Sequence, residues 1–302
     1  MLNDDILKEF IFDCKLRKLS ERTIISYRNN NLALFRFVEQ EYGVNELEKT
    51  NHQVINGYVK FLTEKKLSEV YINTIVRTFR AYFRYAIGEN YILNNPIDKV
   101  KKQKEALVII NTFNNEEVSR MMRHYLGSKF LDVRNQLIMA LLFDTGIRCS
   151  ELCHLKTSDI RDTYINILGK GKKIRHVPIT QVLNKYLIKY NRVRSYYIKD
   201  KYSYETEYLL LSQKGRRLTV EAVERVVLSC GQNSRVRKEI RISPHTCRHY
   251  YAQAQLKNGC DLFTVSRLLG HSNINITKRY LQSMQDEDIL IMGAKTSPLM
   301  NL

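Results

Sequence analysis

Four short stretches of this sequence combine side chains that could handle a phosphodiester. In Asp144-Thr145-Gly146-Ile147-Arg148-Cys149-Ser150-Glu151-Leu152, Thr145-Gly146 reads as the break between two helices, and Leu152 and Leu155 fall on the buried side of the second. Arg148 then stands at a helix start, where a guanidinium can fork onto two phosphate oxygens and the positive helix end adds to the attraction. The plainer alternative is a surface salt bridge to Glu151, worth little by itself. In Ser243-Pro244-His245-Thr246-Cys247-Arg248, Ser243 suits an N-cap and Pro244 the first helical position. His245 and Arg248 share one face of that first turn, so an acid–base group and a guanidinium meet where a helix start favours an anion. A capped helix with a locally bonded histidine is the alternative.

Leu268-Leu269-Gly270-His271-Ser272-Asn273 sets a glycine C-cap after the helical run 263–269, which leaves His271 on a turn. Tyr280 follows on the next helix, with Lys278 and Arg279 beside it as charges that would ease its ionisation. It is one of 19 tyrosines, so packing is its plain alternative. Gly169-Lys170-Gly171-Lys172-Lys173 lies between two β-like runs within 164–179 and reads as a hairpin whose glycines supply the turn. Lys170 at the tip can hydrogen-bond a base edge or donate a proton, and Lys172, Lys173 and Arg175 follow in the same hairpin. A basic hairpin touching only a nucleic-acid backbone is the alternative for each of these.

A scaffold has to bring these stretches together, and 302 residues suggest two domains of roughly 100 and 200 residues. Residues 1–95 read as helices: Ile6, Phe10, Ile11 and Cys14 recur at helical spacing, as do Leu34, Phe35, Phe37 and Val38. Ser20 followed by Thr23 starts another helix, 71–87 is a longer periodic segment, and Asn94-Asn95-Pro96 is expected to end the block. A basic tract, Lys99, Lys101, Lys102 and Lys104, precedes a new helical pattern at about Asn115. It fits both a solvated linker and a segment lying along a DNA backbone. After Ser243 the pattern is helical to near the end, where acidic Asp286-Glu287-Asp288 leads into the apolar cluster 289–292.

Lys and Arg number 49 against 31 Asp and Glu, a formal charge of +18, which favours a polyanionic partner. Residues 1–100 carry 15 basic and 13 acidic side chains, so about +16 of that charge lies beyond residue 100. Membrane spanning is excluded because the longest apolar stretch, 137–143, falls far short of the ~20 residues required. Asp4 and Asp5 precede any apolar run, so a secretory signal is not expected either. The six cysteines lack the paired spacing of a zinc ribbon or a disulfide framework, and Cys149, Cys153 and His154 have no second ligand pair nearby. Reduced thiols in a cytoplasmic protein are expected.

Arg148, Lys170, His245-x-x-Arg248, His271 and Tyr280 occur in this order over roughly 130 residues of a basic chain. In that combination the sequence resembles the tyrosine recombinase (phage integrase) family over nearly its whole length. The resemblance implies a mainly α fold with a small β-hairpin: a helical, SAM-like core-binding domain at 1–98, a basic linker at 99–112, a mixed α/β catalytic domain at 113–284 and a tail at 285–302 exchanged between protomers. It implies that Arg148 and Arg248 clamp the scissile phosphate, Lys170 protonates the leaving 5′-oxygen, His245 assists proton transfer, His271 fills the second His/Trp position, and Tyr280 is the nucleophile. Lys172 remains open as an alternative to Lys170. Lys172, Lys173, Arg175, Lys101 and Lys102 are expected to touch DNA. No cofactor, metal or ATP is expected, because two arginines supply the charge stabilisation and the phosphotyrosyl bond stores the ester's energy. The implied partners are double-stranded recombination sites, three further copies in a homo-tetramer and an accessory directionality protein, in the cytoplasm at the nucleoid. The integrase or transposase of a mobile element is the first reading. A Xer-like dimer resolvase, a type IB topoisomerase and a non-catalytic DNA-binding protein on the same scaffold are the alternatives.

Overall fold

The computed structural model describes residues 2–106, 110–169, 171, 173–201, 206–284 and 286–295, and it divides into two compact units, 1–108 and 109–302. In the first unit the apolar spacing produces α1 (Asn3–Leu16), α2 (Glu21–Tyr42), α3 (His52–Glu64) and α4 (Glu69–Gly88). Ser20, Asn51 and Ser68 start the last three by accepting backbone N–H bonds, which satisfies donors that have no partner within a helix. Phe10, Phe79, Tyr82 and Phe83 are buried at the centre. α4 covers the 71–87 segment whose periodicity predicted it and stops at Gly88, before Asn94-Asn95-Pro96. The backbone has already turned at Asn90, whose φ is 61°, so the proline follows a helix that is finished.

The start of the basic tract belongs to this unit. Ile97 and Val100 are buried with its core, and the Asn73 side-chain amide donates to the Gln103 carbonyl and the Glu105 carboxylate at 2.9 and 2.8 Å. Lys101 and Lys102 are exposed, and Lys102 pairs with Glu105 at 3.0 Å.

The second unit runs α5 (Asn115–Met122), α6 (Phe130–Thr145), α7 (Cys149–His154), β1 (Tyr164–Leu168), β2 (Ile174–Pro178), α8 (Gln181–Lys201), α9 (Val220–Asn233), α10 (Pro244–Lys257), α11 (Leu262–Leu269), α12 (Ile274–Leu281) and α13 (Asp286–Lys295). Asn114 and Glu117 form a reciprocal capping box at the start of α5. α6 is apolar nearly all round and buried accordingly, with Leu137, Ile138, Leu141 and Leu142 fully covered as it packs on α8 and α10. Among the described residues β1 and β2 form a two-stranded antiparallel sheet, pairing Tyr164 with Pro178 and Leu168 with Ile174. The mainly helical architecture with one small hairpin is the one the sequence implied. Lys170 and Lys172, at the turn of that hairpin, lie outside the described residues. A smaller apolar cluster of Tyr251, Leu256, Val265, Leu269 and Tyr280 joins α10, α11 and α12. No described helix is long and apolar enough to cross a membrane.

Candidate active site

Three arginines meet at the C-terminal end of α11. A helix leaves its last carbonyls without partners, and here Leu268, Leu269 and Gly270 each offer one to a different guanidinium. Arg175 Nε donates to Leu268 at 2.8 Å, Arg248 Nη2 donates to Leu269, and Arg148 Nη2 donates to Gly270 at 3.2 Å. Cations at the negative end of a helix are favourable, so the backbone itself gathers these charges. Gly270 makes the approach possible: its φ of 64° suits glycine, and a Cβ would stand 2.9 Å from Arg175 Cδ. Gly146, the left-handed cap of α6, is equally constrained, since a Cβ would lie 2.5 Å from the Tyr251 ring. Its carbonyl accepts Arg248 Nη1 at 2.6 Å.

The arginines differ in what balances them. Arg148 does pair with Glu151, at 2.8 Å, yet its side chain remains 38 % exposed. Arg175 was expected on DNA and is instead turned inward: its fork holds both Glu151 oxygens at 2.9 and 2.7 Å and it is 9 % exposed. Burial pushes the Glu151 carboxyl up, but the hydrogen bonds and charge of Arg175, with those of Arg148, more than offset it and leave it below the usual range. Arg248 is 2 % exposed and its hydrogen bonds run to neutral carbonyls. Burial, with repulsion from Arg148 and Arg175, brings it down to about 9, so it stays charged at neutral pH. A buried cation without a carboxylate of its own favours an incoming anion.

α10 supplies the imidazoles. Ser243 caps it by accepting from Thr246 N, and Pro244 occupies its first turn, as the sequence indicated. His245 is exposed at the rim, its pKa lowered by burial of its inner face and by Arg248, Arg148 and Arg241. One turn on, His249 meets the His245 ring edge to face at 4.2 Å between centroids, and its Nδ1 lies 3.0 Å from the Tyr280 hydroxyl. His271 Nδ1 bonds Thr277 Oγ1 at 2.7 Å, and its ring lies parallel to that of Tyr280, centroids 6.5 Å apart. Burial, then neighbouring positive charge, holds both His249 and His271 down to about 4, so both rings are neutral at pH 7.

Tyr280 is 2 % exposed, and burial raises its pKa. The charges that oppose this rise are Arg248 and Arg148, not the Lys278 and Arg279 suggested by the sequence, which point outward on α12. Adjacency along a helix puts a neighbour about 100° round the axis, whereas Arg248 and Arg148 face the phenol across the fold. Lys173 is exposed at the hairpin. His249 was not singled out from the sequence, although its position four residues after His245 sets both on one face of α10.

A helical unit is followed by a mainly helical one, in which the charges of Arg248 and Arg148 and the rings of His249 and His271 face a buried tyrosine, groups of the kind that transfer at a phosphodiester requires. The chain belongs to the phage integrase family, whose model matches residues 111–287, and the phage integrase SAM-like domain matches residues 4–104. It is 29% identical over 281 residues to tyrosine recombinase XerD of Staphylococcus haemolyticus (strain JCSC1435), covering 92% of this chain and 93% of the relative. It is 30% identical over 278 residues to tyrosine recombinase XerC of Thermodesulfovibrio yellowstonii (strain ATCC 51303 / DSM 11347 / YP87), covering 91% and 90%. Its fold is similar to that of a lambda integrase tetramer bound to a Holliday junction, with a TM-score of 0.72, 19% identity and coverage of 93% of this chain and 77% of that one. The chain is thus a tyrosine-type site-specific DNA recombinase.

Proposed function

We propose that this recombinase exchanges strands between two copies of a short duplex site, with Arg148 and Arg248 clamping the scissile phosphate and Tyr280 attacking it. The observation that carries the reading is the convergence of the Arg148 and Arg248 guanidiniums, anchored on adjacent carbonyls, with their charge reaching the Tyr280 phenol. As the phosphorus is attacked, charge grows on its non-bridging oxygens, and fixed guanidiniums hold that charge better than they hold the ground state. Attack gives a 3′-phosphotyrosyl bond and a free 5′-hydroxyl, and the retained ester energy allows religation without a nucleotide. Lys170 is assigned the proton for the leaving 5′-oxygen, with Lys172 as the alternative; His245 and His271 assist proton movement around the phosphate. Lys173, Lys101 and Lys102, all exposed, are assigned to the DNA backbone.

Two settings use this chemistry. The first is the integration or transposition of a mobile element, which the Tyr- and Asn-rich, glycine-poor N-terminal helices suggest. The second is Xer-like resolution of replicon dimers, favoured by the match over nine-tenths of the chain to relatives named XerD and XerC. The second has the more specific support. One experiment tests both the chemistry and the setting: mix the protein with a library of randomised duplexes, denature with detergent, and sequence the DNA that stays attached. A covalent adduct is expected with the native chain and none with Tyr280→Phe, which keeps the ring and the surrounding charge. An adduct that persists in that variant would remove Tyr280 from its role, and no adduct with the native chain would favour a DNA-binding protein without strand transfer. A recovered sequence found at element ends supports the first setting, and one found once in a host replicon supports the second.

A further inference from the structure

Tyr280 must lose a proton as it attacks, and burial makes that harder by holding the phenol above its usual pKa. Among the described residues its hydroxyl has one hydrogen-bond partner, Nδ1 of His249 at 3.0 Å. His245, to which the family resemblance gives proton transfer, instead meets the His249 ring at the exposed rim. His271 is committed through Nδ1 to Thr277. Building on the assignment of Tyr280 as nucleophile, we propose that His249 is the base that takes its proton.

The geometry meets the requirement for a base, an acceptor within hydrogen-bond reach of the proton it removes. With Nδ1 accepting from the phenol, the proton of the neutral ring resides on Nε2. As Tyr280 Oη bonds to phosphorus, its proton passes to His249 Nδ1, and the bond from phosphorus to the 5′-oxygen breaks with its electron pair. The leaving 5′-oxygen takes a separate proton from the acid assigned above. On religation a 5′-hydroxyl attacks and passes its proton back to the deprotonated acid assigned above, the phosphotyrosyl bond breaks with its electron pair, and the imidazolium of His249 returns its proton to the phenolate. The DNA phosphate brings the negative charge that makes the imidazolium affordable: without it His249 faces Arg248 and His245 on its own helix, and both disfavour the charged ring.

Packing of α10 on α12 is what brings His249 to the Tyr280 hydroxyl. His249→Ala removes the base and His249→Asn keeps an amide oxygen that can accept the phenol's hydrogen bond but not its proton. The probe is the duplex recovered by the selection above, with sulfur replacing the 5′-bridging oxygen at the mapped cut, because a thiolate leaves without a proton and isolates the nucleophile's side. Non-covalent binding to the unmodified duplex checks folding. Adduct formation should fall about 100-fold or more in both variants while binding is kept, as expected for loss of a positioned base. Installing 3-fluorotyrosine, a more acidic phenol, at position 280 should recover at least tenfold of the deficit in His249→Ala and change the native enzyme little. Native-rate adduct formation by His249→Ala overturns the proposal. Full activity in His249→Asn, or no recovery with fluorotyrosine, reduces His249 to a positioning residue and overturns it as the base. Failure of the native chain to form an adduct at Tyr280 would instead overturn the functional reading beneath it.

Discussion

Arg248 ties the end of α6 to the end of α11, and in the function proposed above the same side chain keeps a charge for the scissile phosphate. An ammonium can do neither job fully, because its point charge cannot fork and it reaches one carbonyl where the guanidinium reaches two, Gly146 and Leu269. Arg248→Lys should therefore lower stability by about 1–3 kcal/mol through a buried carbonyl left unpaired. It should slow covalent adduct formation by a further factor on the order of 100 to 1,000 at saturating DNA. A loss of stability with native cleavage would mean that the arginine only staples the fold. The imidazoles give this site a pH signature. His249 and His271 are held near about 4 in the folded protein, below the ~6.5 of an unfolded histidine. Between those values the unfolded chain binds more protons, so their contribution is complete above about pH 6.5 and is lost as pH falls toward 4. The melting temperature of the DNA-free protein should drop between pH 7 and 4.5, and His249→Gln combined with His271→Gln should shrink that drop. Equal drops in both proteins would show that other groups govern the acid limb.

At the scale of elements, the hairpin acts on the site through its second strand. Arg175 leaves β2 to hold both oxygens of Glu151 and the carbonyl of Leu268, joining β2, α7 and α11 at one point. Arg175→Ala would strand a Glu151 carboxylate that is 7 % exposed, with only the half-exposed Arg148 left to balance it. Removing one partner of a buried pair costs about 3–5 kcal/mol. Arg148 should then be drawn further toward Glu151, so cleavage should fall more than DNA affinity, measured as adduct rate against retention of unmodified duplex. Near-native stability in this variant would mean that Glu151 takes up a proton or rotates into water. Such joints explain what could be read in the sequence and what could not. The caps at Ser20 and Ser243, the stops at Gly146 and Gly270, and the two hairpin strands are local matters of a few residues, and their residue types declare them. Arg175 meets Leu268 across 93 positions and His249 meets Tyr280 across 31, and no local periodicity encodes either distance. The hairpin's alternation likewise marks Arg175 as a strand residue without saying that its long side chain doubles back beneath α11. The 71–87 periodicity marked α4 to within two residues at each end, because an apolar face of about five turns is a local signal.

At the scale of the whole molecule, the tail has apolar side chains that the described residues leave exposed. α13 begins with acid at its N-terminal end, as the helix dipole favours, and Ile289, Leu290 and Ile291 are 54 %, 73 % and 55 % exposed. A ten-residue helix is too short to persist in water by propensity alone. Three successive large apolar side chains in that condition call for a surface to cover them. A second copy of this chain is the partner we propose, because a terminal segment handed from each protomer to the next closes a ring and brings every catalytic unit under the control of a neighbour. Packing of the tail on its own catalytic unit is the competing arrangement. Truncation after Gln285 should leave the packed core of the second unit unchanged, since that core is built from residues up to Tyr280 and Met284. The truncated protein should bind the selected duplex with near-native affinity, because the basic surface is retained. It should fail to gather two duplexes into a tetramer, and adduct formation on single sites should lose its restraint while complete strand exchange is lost. Size measurement of the native and truncated proteins on paired sites decides the matter. Tetramers that form as readily without the tail would show that residues 286–295 act within their own protomer, and that the exposed apolar row serves some other contact.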